Sequence, residues 1–417
     1  MIKIKIPGDK SISHRAVMLG SIAEGTTEID GFLTGADCLS TISCFQQLGV
    51  NIQRDGEKVT VHGVGLQGLK EPDSVLDVGN SGTTIRLISG ILAGQNFTSL
   101  LTGDSSIRRR PMKRVLDPLG KMGAEVLGRD NNNKAPFAIK GKELESISYK
   151  TPVASAQIKS AILLAGLYSK GTTTVIEPEK SRNHTEVMLK GFGAEIEEGP
   201  NFSSVKGFPK LMGQKITVPG DISSAAFFIA GALILPDKEV CIENVGLNET
   251  RTGIIDVFRE MGGDIQIINE RYTSGEKVGD IIVKSSKLKG ITFGGEIIPR
   301  LVDEIPVIAV AATQAEGVTI IHGAEELKVK ESDRLKTISK ELSKMGADIE
   351  ETDDGLIIKG GTPLKYADCE SYDDHRIAMS CAIAGLVSDG GVSIDDLSCV
   401  DISFPGFFET IKSLIAG

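Results

Sequence analysis

Apolar and polar positions along the chain follow two short phrases that alternate and recur. The first closes an amphipathic run with an apolar residue, Gly, a small residue, an acid or amide, then Ile or Val. It reads Leu48-Gly49-Val50-Asn51-Ile52, Met122-Gly123-Ala124-Glu125-Val126, Phe192-Gly193-Ala194-Glu195-Ile196, Met261-Gly262-Gly263-Asp264-Ile265 and Met345-Gly346-Ala347-Asp348-Ile349. Each copy follows a helix-period run, such as Glu331 to Lys344, and precedes an alternating strand-like run. The Gly is expected just past a helix end, in the left-handed conformation that turns the chain into a strand.

The second phrase is a small polar start, a helix of small apolar residues, a Gly-rich turn and a Thr/Val/Ile strand. Its copies begin near Ser11, Ser81, Ser155, Ser223, Asp303 and Asp374, and their strands include Thr26-Thr27-Glu28-Ile29 and Val318-Thr319-Ile320-Ile321. Six units of about 70 residues follow, each mixing two helices with short strands; such units are small α/β lobes, grouped as two domains of three. The first phrase has only five copies. The sixth helix is placed at Phe407 to Ala416, and the strand due after it is assigned to Lys3-Ile4-Lys5-Ile6. The chain then crosses between halves twice, at two Pro-Gly-Asp turn signals, Pro7 to Asp9 and Pro219 to Asp221. The expected domains are residues 1–9 with 221–417, and residues 10–220.

Composition narrows the function. The 417 residues carry a formal net charge of −10 and no Trp, which argues against a general binder of nucleic acid or membrane surfaces. The 48 glycines accompany 40% hydrophobic residues, so they do not signal disorder. Six scattered cysteines without a C-x-x-C pair read as reduced, buried thiols of a cytosolic protein, not as a zinc site. The N-terminus lacks the apolar core of a secretory signal. The longest apolar run, Ile222 to Leu235, is too short for a membrane span and reads as a buried helix.

The candidate chemistry lies at the starts of the small-residue helices. Ser, Asn and Asp there are ordinary N-caps, and capping accounts for each taken singly. Capping does not account for a cation in the first turn, where the macrodipole disfavours it. Lys10, Arg15, Arg86, Lys159 and Arg376 are such cations. A cation beside a positive helix end is tolerable when an anion binds between them. Ser106 to Pro111 packs Arg108, Arg109 and Arg110 together, and the spacing singles out none of them. Lys330 and Arg334 are four apart and share a face if the segment is helical. Gly63-Val64-Gly65-Leu66-Gln67-Gly68 has dinucleotide-loop spacing but no helix pattern after it, so that reading fails.

In order along nearly the whole chain, the segments PGDKSISHR, GNSGTTIR, RRRPM, ASAQIKS, SRNHTE, VPGDISSAAFF, KVKESDRL, DDHRIAM and SFPGFF resemble the 5-enolpyruvylshikimate-3-phosphate synthases (3-phosphoshikimate 1-carboxyvinyltransferases). SRNHTE resembles the class II branch. The resemblance implies an α/β (α+β) fold of two domains, each of three βαβαββ-type units, with the active site in the interdomain cleft. The reaction implied transfers the enolpyruvyl group of phosphoenolpyruvate to the 5-hydroxyl of shikimate 3-phosphate and releases phosphate. It is a shikimate-pathway step toward chorismate and aromatic amino acids.

Matched residue by residue, the resemblance implies that Lys10, Ser11, Arg15, Ser155, Ala156, Gln157, Ser181, Arg182, Asp303 and Lys330 hold shikimate 3-phosphate. Lys10, Asn80, Gly82, Arg110, Gln157, Arg334 and Arg376 hold phosphoenolpyruvate. Asp303 takes the hydroxyl proton, Glu331 donates one to carbon, Lys10 reaches the transferred group, and His375 either assists or is structural. No cofactor or metal is implied; the protein is expected to be a cytoplasmic monomer that glyphosate inhibits competitively. Two positions depart from the family: Ala156 stands where some members have a second Ser, and Ile402 where many have Lys. The sister transferases acting on UDP-N-acetylglucosamine are a rival reading, but they carry a Cys in the loop before their Arg-Pro, and Gly103 to Pro111 has none. A non-catalytic phosphosugar-binding repeat protein is a further rival; it leaves Asp303 and Glu331 unexplained.

Overall fold

The structure is a computed structural model and describes residues 1–416. The chain divides into two compact units. One is Gly8–Val218 with Thr273–Gly275; the other is Met1–Pro7, Pro219–Tyr272 and the residues from Glu276 onward. Both crossings fall two residues before the positions expected from the Pro-Gly-Asp turns. Asp9 goes with the helix that follows because its side chain caps it, accepting from the Ile12 amide at 2.9 Å. Gly220 is bonded through its amide to the Asn244 carbonyl of the second unit.

The first unit repeats one sheet three times. Lys215–Thr217, Glu24–Asp30, Lys58–Val64 and Asn51–Asp55 form one four-stranded sheet, in that spatial order. Leu76–Asp77, Thr98–Thr102, Lys134–Lys140 and Glu125–Gly128 form the second. Ser148–Lys150, Thr172–Ile176, Phe202–Lys206 and Ile196–Glu198 form the third. In each, the first two strands are parallel and the rest antiparallel. In the second and third sheets a small-residue helix crosses over between the parallel strands, as parallel pairing demands.

The second unit builds the same order from Ile2–Lys5, Glu239–Gly246, Glu276–Lys284 and Asp264–Thr273, and from Thr292–Phe293, Val318–Ile321, Leu356–Lys359 and Asp348–Glu351. Among the described residues its third sheet holds only the parallel pair Lys365–Cys369 and Asp389–Ile394, before the helix Phe407–Ala416. The N-terminal strand therefore takes the place before the fourth small-residue helix, parallel to Glu239–Gly246, and not the place after the sixth unit's second helix. That parallel edge place lies open to a strand from outside, because Pro219 enters the unit directly at its helix.

All five glycines of the first phrase are left-handed, with φ of +87° at Gly49, +116° at Gly123, +101° at Gly193, +92° at Gly262 and +90° at Gly346. The small-residue helices are small because they pack closely. A Cβ at Gly90 would stand 2.2 Å from the Ala161 carbonyl oxygen, so the helices Gly82–Ala93 and Ala156–Gly166 touch along their backbones. Their starts consequently lie side by side. The run Ile222–Ile234 is a buried helix, as its composition implies. Its Phe227 and Phe228 meet Phe404 and Phe407 edge-on or tilted at 5.7–5.8 Å, which ties the last helix to this core.

Two segments differ from the sequence reading. The fifth helix begins at Ile305, after a 3₁₀ turn at Val302–Glu304; Pro306 suits a first helical turn, where its missing amide costs nothing. The segment around Lys330 is not helical. Asp333 caps the helix Arg334–Lys344, so Lys330 and Glu331 lie on the incoming turn and share no helical face with Arg334.

Candidate active site

In the first unit, the helix starts bring most of the expected residues into three groups. Gly82 lies beneath two guanidinium groups: a Cβ there would stand 2.9 Å from both Arg110 Nη1 and Arg86 Nη1. Arg86 Nη1 also donates to Gln157 Oε1 at 2.9 Å, while Gln157 Nε2 donates to Thr83 Oγ1 at 3.3 Å. Asn80 donates to Asp104 at 2.6 Å. Ser155 and Ala156 open the helix that carries Gln157, both half-buried. Burial separates the three arginines that spacing left equal: Arg108 and Arg109 are exposed and Arg110 is buried.

The second group lies on Lys10–Ile22. Lys10 is ion-paired with Asp37, which stands in the first turn of the helix Ala36–Gln47. Arg15 is buried; it donates to Thr185 Oγ1 at 2.6 Å, to Ser160 Oγ at 2.9 Å and to the Ser11 carbonyl at 3.0 Å. His14 lies between them, fully buried. Its Nδ1 is 2.7 Å from Thr41 Oγ1, itself 2.7 Å from Thr84 Oγ1. Burial, then the charges of Lys10 and Arg15, push its pKa well below the ordinary histidine value, so the ring is neutral.

The third group surrounds Ser181. Its hydroxyl donates to Glu177 and its carbonyl accepts from Lys159 Nζ at 3.2 Å. Lys159 is 1% exposed and is paired with Glu177 at 2.8 Å and Glu186 at 2.9 Å. Burial alone would lower its pKa; Glu186 and Glu177 outweigh it and hold the pKa above the ordinary value. Lys159 is thus satisfied from within the core, contrary to its reading as a cation for a ligand. Arg182 follows Ser181, half-buried.

The second unit centres on Arg334, which is buried among three carboxylates. Nε and Nη2 reach the two oxygens of Asp374 at 2.8 and 3.2 Å, Nη1 reaches Asp303 at 3.1 Å, and Nη2 reaches Glu331 at 2.6 Å. Burial opposes its charge, but Asp374, Glu331 and Asp303 together push its pKa above the usual arginine value. Lys330 Nζ adds a second cation 3.4 Å from Asp303 Oδ1. Asp374 caps the helix His375–Gly385 by accepting from the Arg376 amide at 3.0 Å. Arg376 Nη1 donates to the Ser223 carbonyl at 3.3 Å and lies 4.0 Å from buried Glu304. His375 is buried beside it. Ile402 is half-buried against the apolar core.

Asp303, Lys330, Glu331 and Arg334 are thereby one cluster, and Asp374 joins Arg376 to it. Asp374 and Asp37 have no ligand role in the sequence reading, although each sits at a helix start beside a cation. Glu177 and Glu304 gave no signal, because their partners come from other segments. All six cysteines are free and buried. Among the described residues, no group of three or more His, Cys, Asp or Glu could hold a metal ion.

Six repeated α/β units that gather cations and carboxylates at helix starts define a protein built to handle small anions. The chain belongs to the EPSP synthase (3-phosphoshikimate 1-carboxyvinyltransferase) family, whose pattern matches residues 2–411. The 3-phosphoshikimate 1-carboxyvinyltransferase of Thermoanaerobacter sp. is 58% identical over 412 residues, covering 99% of this chain and 97% of that protein. The one of Desulforamulus reducens is 54% identical, covering 99% and 96%. The EPSP synthase structure from Acinetobacter baumannii superposes with a TM-score of 0.88 at 46% identity, covering 99% of this chain and 95% of that one.

Proposed function

We propose that the protein transfers the enolpyruvyl group of phosphoenolpyruvate to the 5-hydroxyl of shikimate 3-phosphate and releases phosphate. The observation that carries this reading is the grip of Arg334 on Asp303 and Glu331 at once, which fixes two carboxylates around one cation. The reaction needs such a pair. Asp303 takes the 5-hydroxyl proton as its oxygen bonds to C2 of phosphoenolpyruvate. Glu331 gives a proton to C3, making a methyl group. The tetrahedral adduct then loses phosphate from C2 and a proton from C3, restoring the double bond. Positioned acid and base groups contribute about 10²–10⁴ in rate to such steps.

The remaining assignments follow the resemblance to the family, residue by residue. Lys10, Ser11, Arg15, Ser155, Ala156, Gln157, Ser181, Arg182 and Lys330 serve shikimate 3-phosphate. Lys10, Asn80, Gly82, Gln157, Arg110, Arg334 and Arg376 serve phosphoenolpyruvate, with Lys10 and Gln157 shared. Gly82 leaves room beside two guanidinium groups, the place for a compact anion, and glyphosate competes there. Arg15 and Arg334 already spend their donors on protein groups, so their part is to orient as much as to bind. Among the described residues no helix is long and apolar enough to cross a membrane; the enzyme works as a monomer in the cytoplasm.

Phosphate release decides the reading. Release should require both phosphoenolpyruvate and shikimate 3-phosphate. Release with UDP-N-acetylglucosamine instead would move the protein to the sister transferases, and release with neither would leave a binding protein.

A further inference from the structure

The turn that delivers Asp374, His375 and Arg376 is held in an unusual backbone conformation. Tyr372 and Asp373, neither of them glycine, are both left-handed, with φ of +57° and +54°. Side chains disfavour that region, and successive residues persist there only where the surroundings over-determine them. The surroundings here are specific. Tyr372 Oη donates to Glu341 Oε1 at 2.5 Å, and the Glu370 amide donates to Glu341 Oε2 at 3.0 Å. The Ser371 amide donates to Asp395 at 2.8 Å.

Glu341 itself is fully buried, and Lys344 Nζ lies 2.8 Å from its Oε2. Burying a carboxylate is costly unless its bonds recover the lost hydration. Besides the Lys344 pair, the bonds that recover it go to this turn. Glu341 also stands seven residues after Arg334 on the helix Arg334–Lys344, two turns along the same face. One helix therefore grips the strained turn at two points, through Glu341 at its start and through Arg334 at Asp374. Burial, then the bond to Glu341, pushes the Tyr372 hydroxyl above the ordinary phenol value, so it remains a donor.

We infer that Glu341, acting through Tyr372, is a positioning residue for the phosphoenolpyruvate side of the reaction. It locks the left-handed turn so that Asp374 meets Arg334 and caps the helix that aims Arg376. Neither residue touches substrate. The inference rests on the enolpyruvyl-transfer reading through the roles given to Arg334 and Arg376.

Tyr372→Phe removes the one hydroxyl and leaves the ring. It should raise the KM for phosphoenolpyruvate about tenfold, the effect of one lost hydrogen bond to a charged group, and leave the KM for shikimate 3-phosphate nearly unchanged. Glu341→Gln keeps an acceptor for Tyr372 and should restore most of what Glu341→Ala loses. An equal rise in both KM values, or none in Tyr372→Phe, overturns the inference. Hydrogen exchange keeps it testable should the unaltered protein not turn over these substrates, an outcome that would count against the reaction instead. Amides 370–376 should exchange faster in Tyr372→Phe, and unchanged protection there would sink the lock.

Discussion

Arg334 meets Asp374 side-on, with Nε 2.8 Å from Oδ2 and Nη2 3.2 Å from Oδ1, and both residues are buried. This two-pronged contact needs the planar fork of arginine, which lysine cannot reproduce. Arg334→Lys should fold yet lower kcat/KM by about a hundredfold or more, the scale of a small misplacement of reacting groups. Arg334→Met leaves three carboxylates around an apolar chain and should lose about 3–5 kcal/mol of stability. Steady-state kinetics and urea unfolding of the two variants check both statements.

Asp303→Asn keeps the size of the side chain and a hydrogen-bonding group for Lys330, but it cannot accept the hydroxyl proton. Turnover should fall by about 10²–10⁴, with little change in the affinity for shikimate 3-phosphate measured by calorimetry. Near-normal turnover would remove Asp303 from proton transfer.

Gly82→Ala should act on one substrate only. The added methyl group meets two guanidinium nitrogens at 2.9 Å, so Arg110 or Arg86 must shift. These are the far ends of long side chains, so the fold should survive the shift, but the shift displaces a guanidinium group from its place beside Gly82, so the KM for phosphoenolpyruvate should rise. Glyphosate should inhibit the variant less, while the KM for shikimate 3-phosphate stays close to that of the parent.

His14 predicts a pH dependence of stability. Its pKa in the folded protein lies well below the unfolded value of about 6.5. Below about pH 6.5 the unfolded chain takes up a proton that the folded chain refuses. Stability present above that pH is lost as pH falls toward the folded pKa, by up to about 1.4 kcal/mol per pH unit from this group. His14→Asn should flatten the fall between about pH 6.5 and 5 in denaturant titrations; a slope equal to that of the parent would exclude His14 as its source.

Local geometry was legible in the sequence, because it depends on neighbours in the chain. The glycines at 49, 123, 193, 262 and 346 end helices in the left-handed region, as their phrase implies. The polar starts mark where the small-residue helices begin, apart from the 3₁₀ turn before Ile305. What the sequence could not show is decided by partners far along the chain. Lys159 reads as a cation for a ligand until Glu177 and Glu186, 18 and 27 residues away, close on it. Arg110 differs from Arg108 and Arg109 only by which of them the fold buries. The split between Lys330 and Arg334 has a local signal in Ser332-Asp333, a capping pair whose Asp333 starts the helix, although the four-residue spacing of the charges also fits one helical face.

The parallel pairing of Ile2–Lys5 with Glu239–Gly246 has a consequence during synthesis. The strand leaves the ribosome more than 230 residues before its partner. At about 5–20 residues per second it waits for roughly 10–50 s with an open edge. Lys3 and Lys5 alternate with its two isoleucines, and Lys3 later pairs with Glu243 at 2.7 Å. Charge of this kind discourages an unpaired strand from joining another chain. The residues that complete the second unit's first sheet are thus made first, kept soluble by their lysines, and used late.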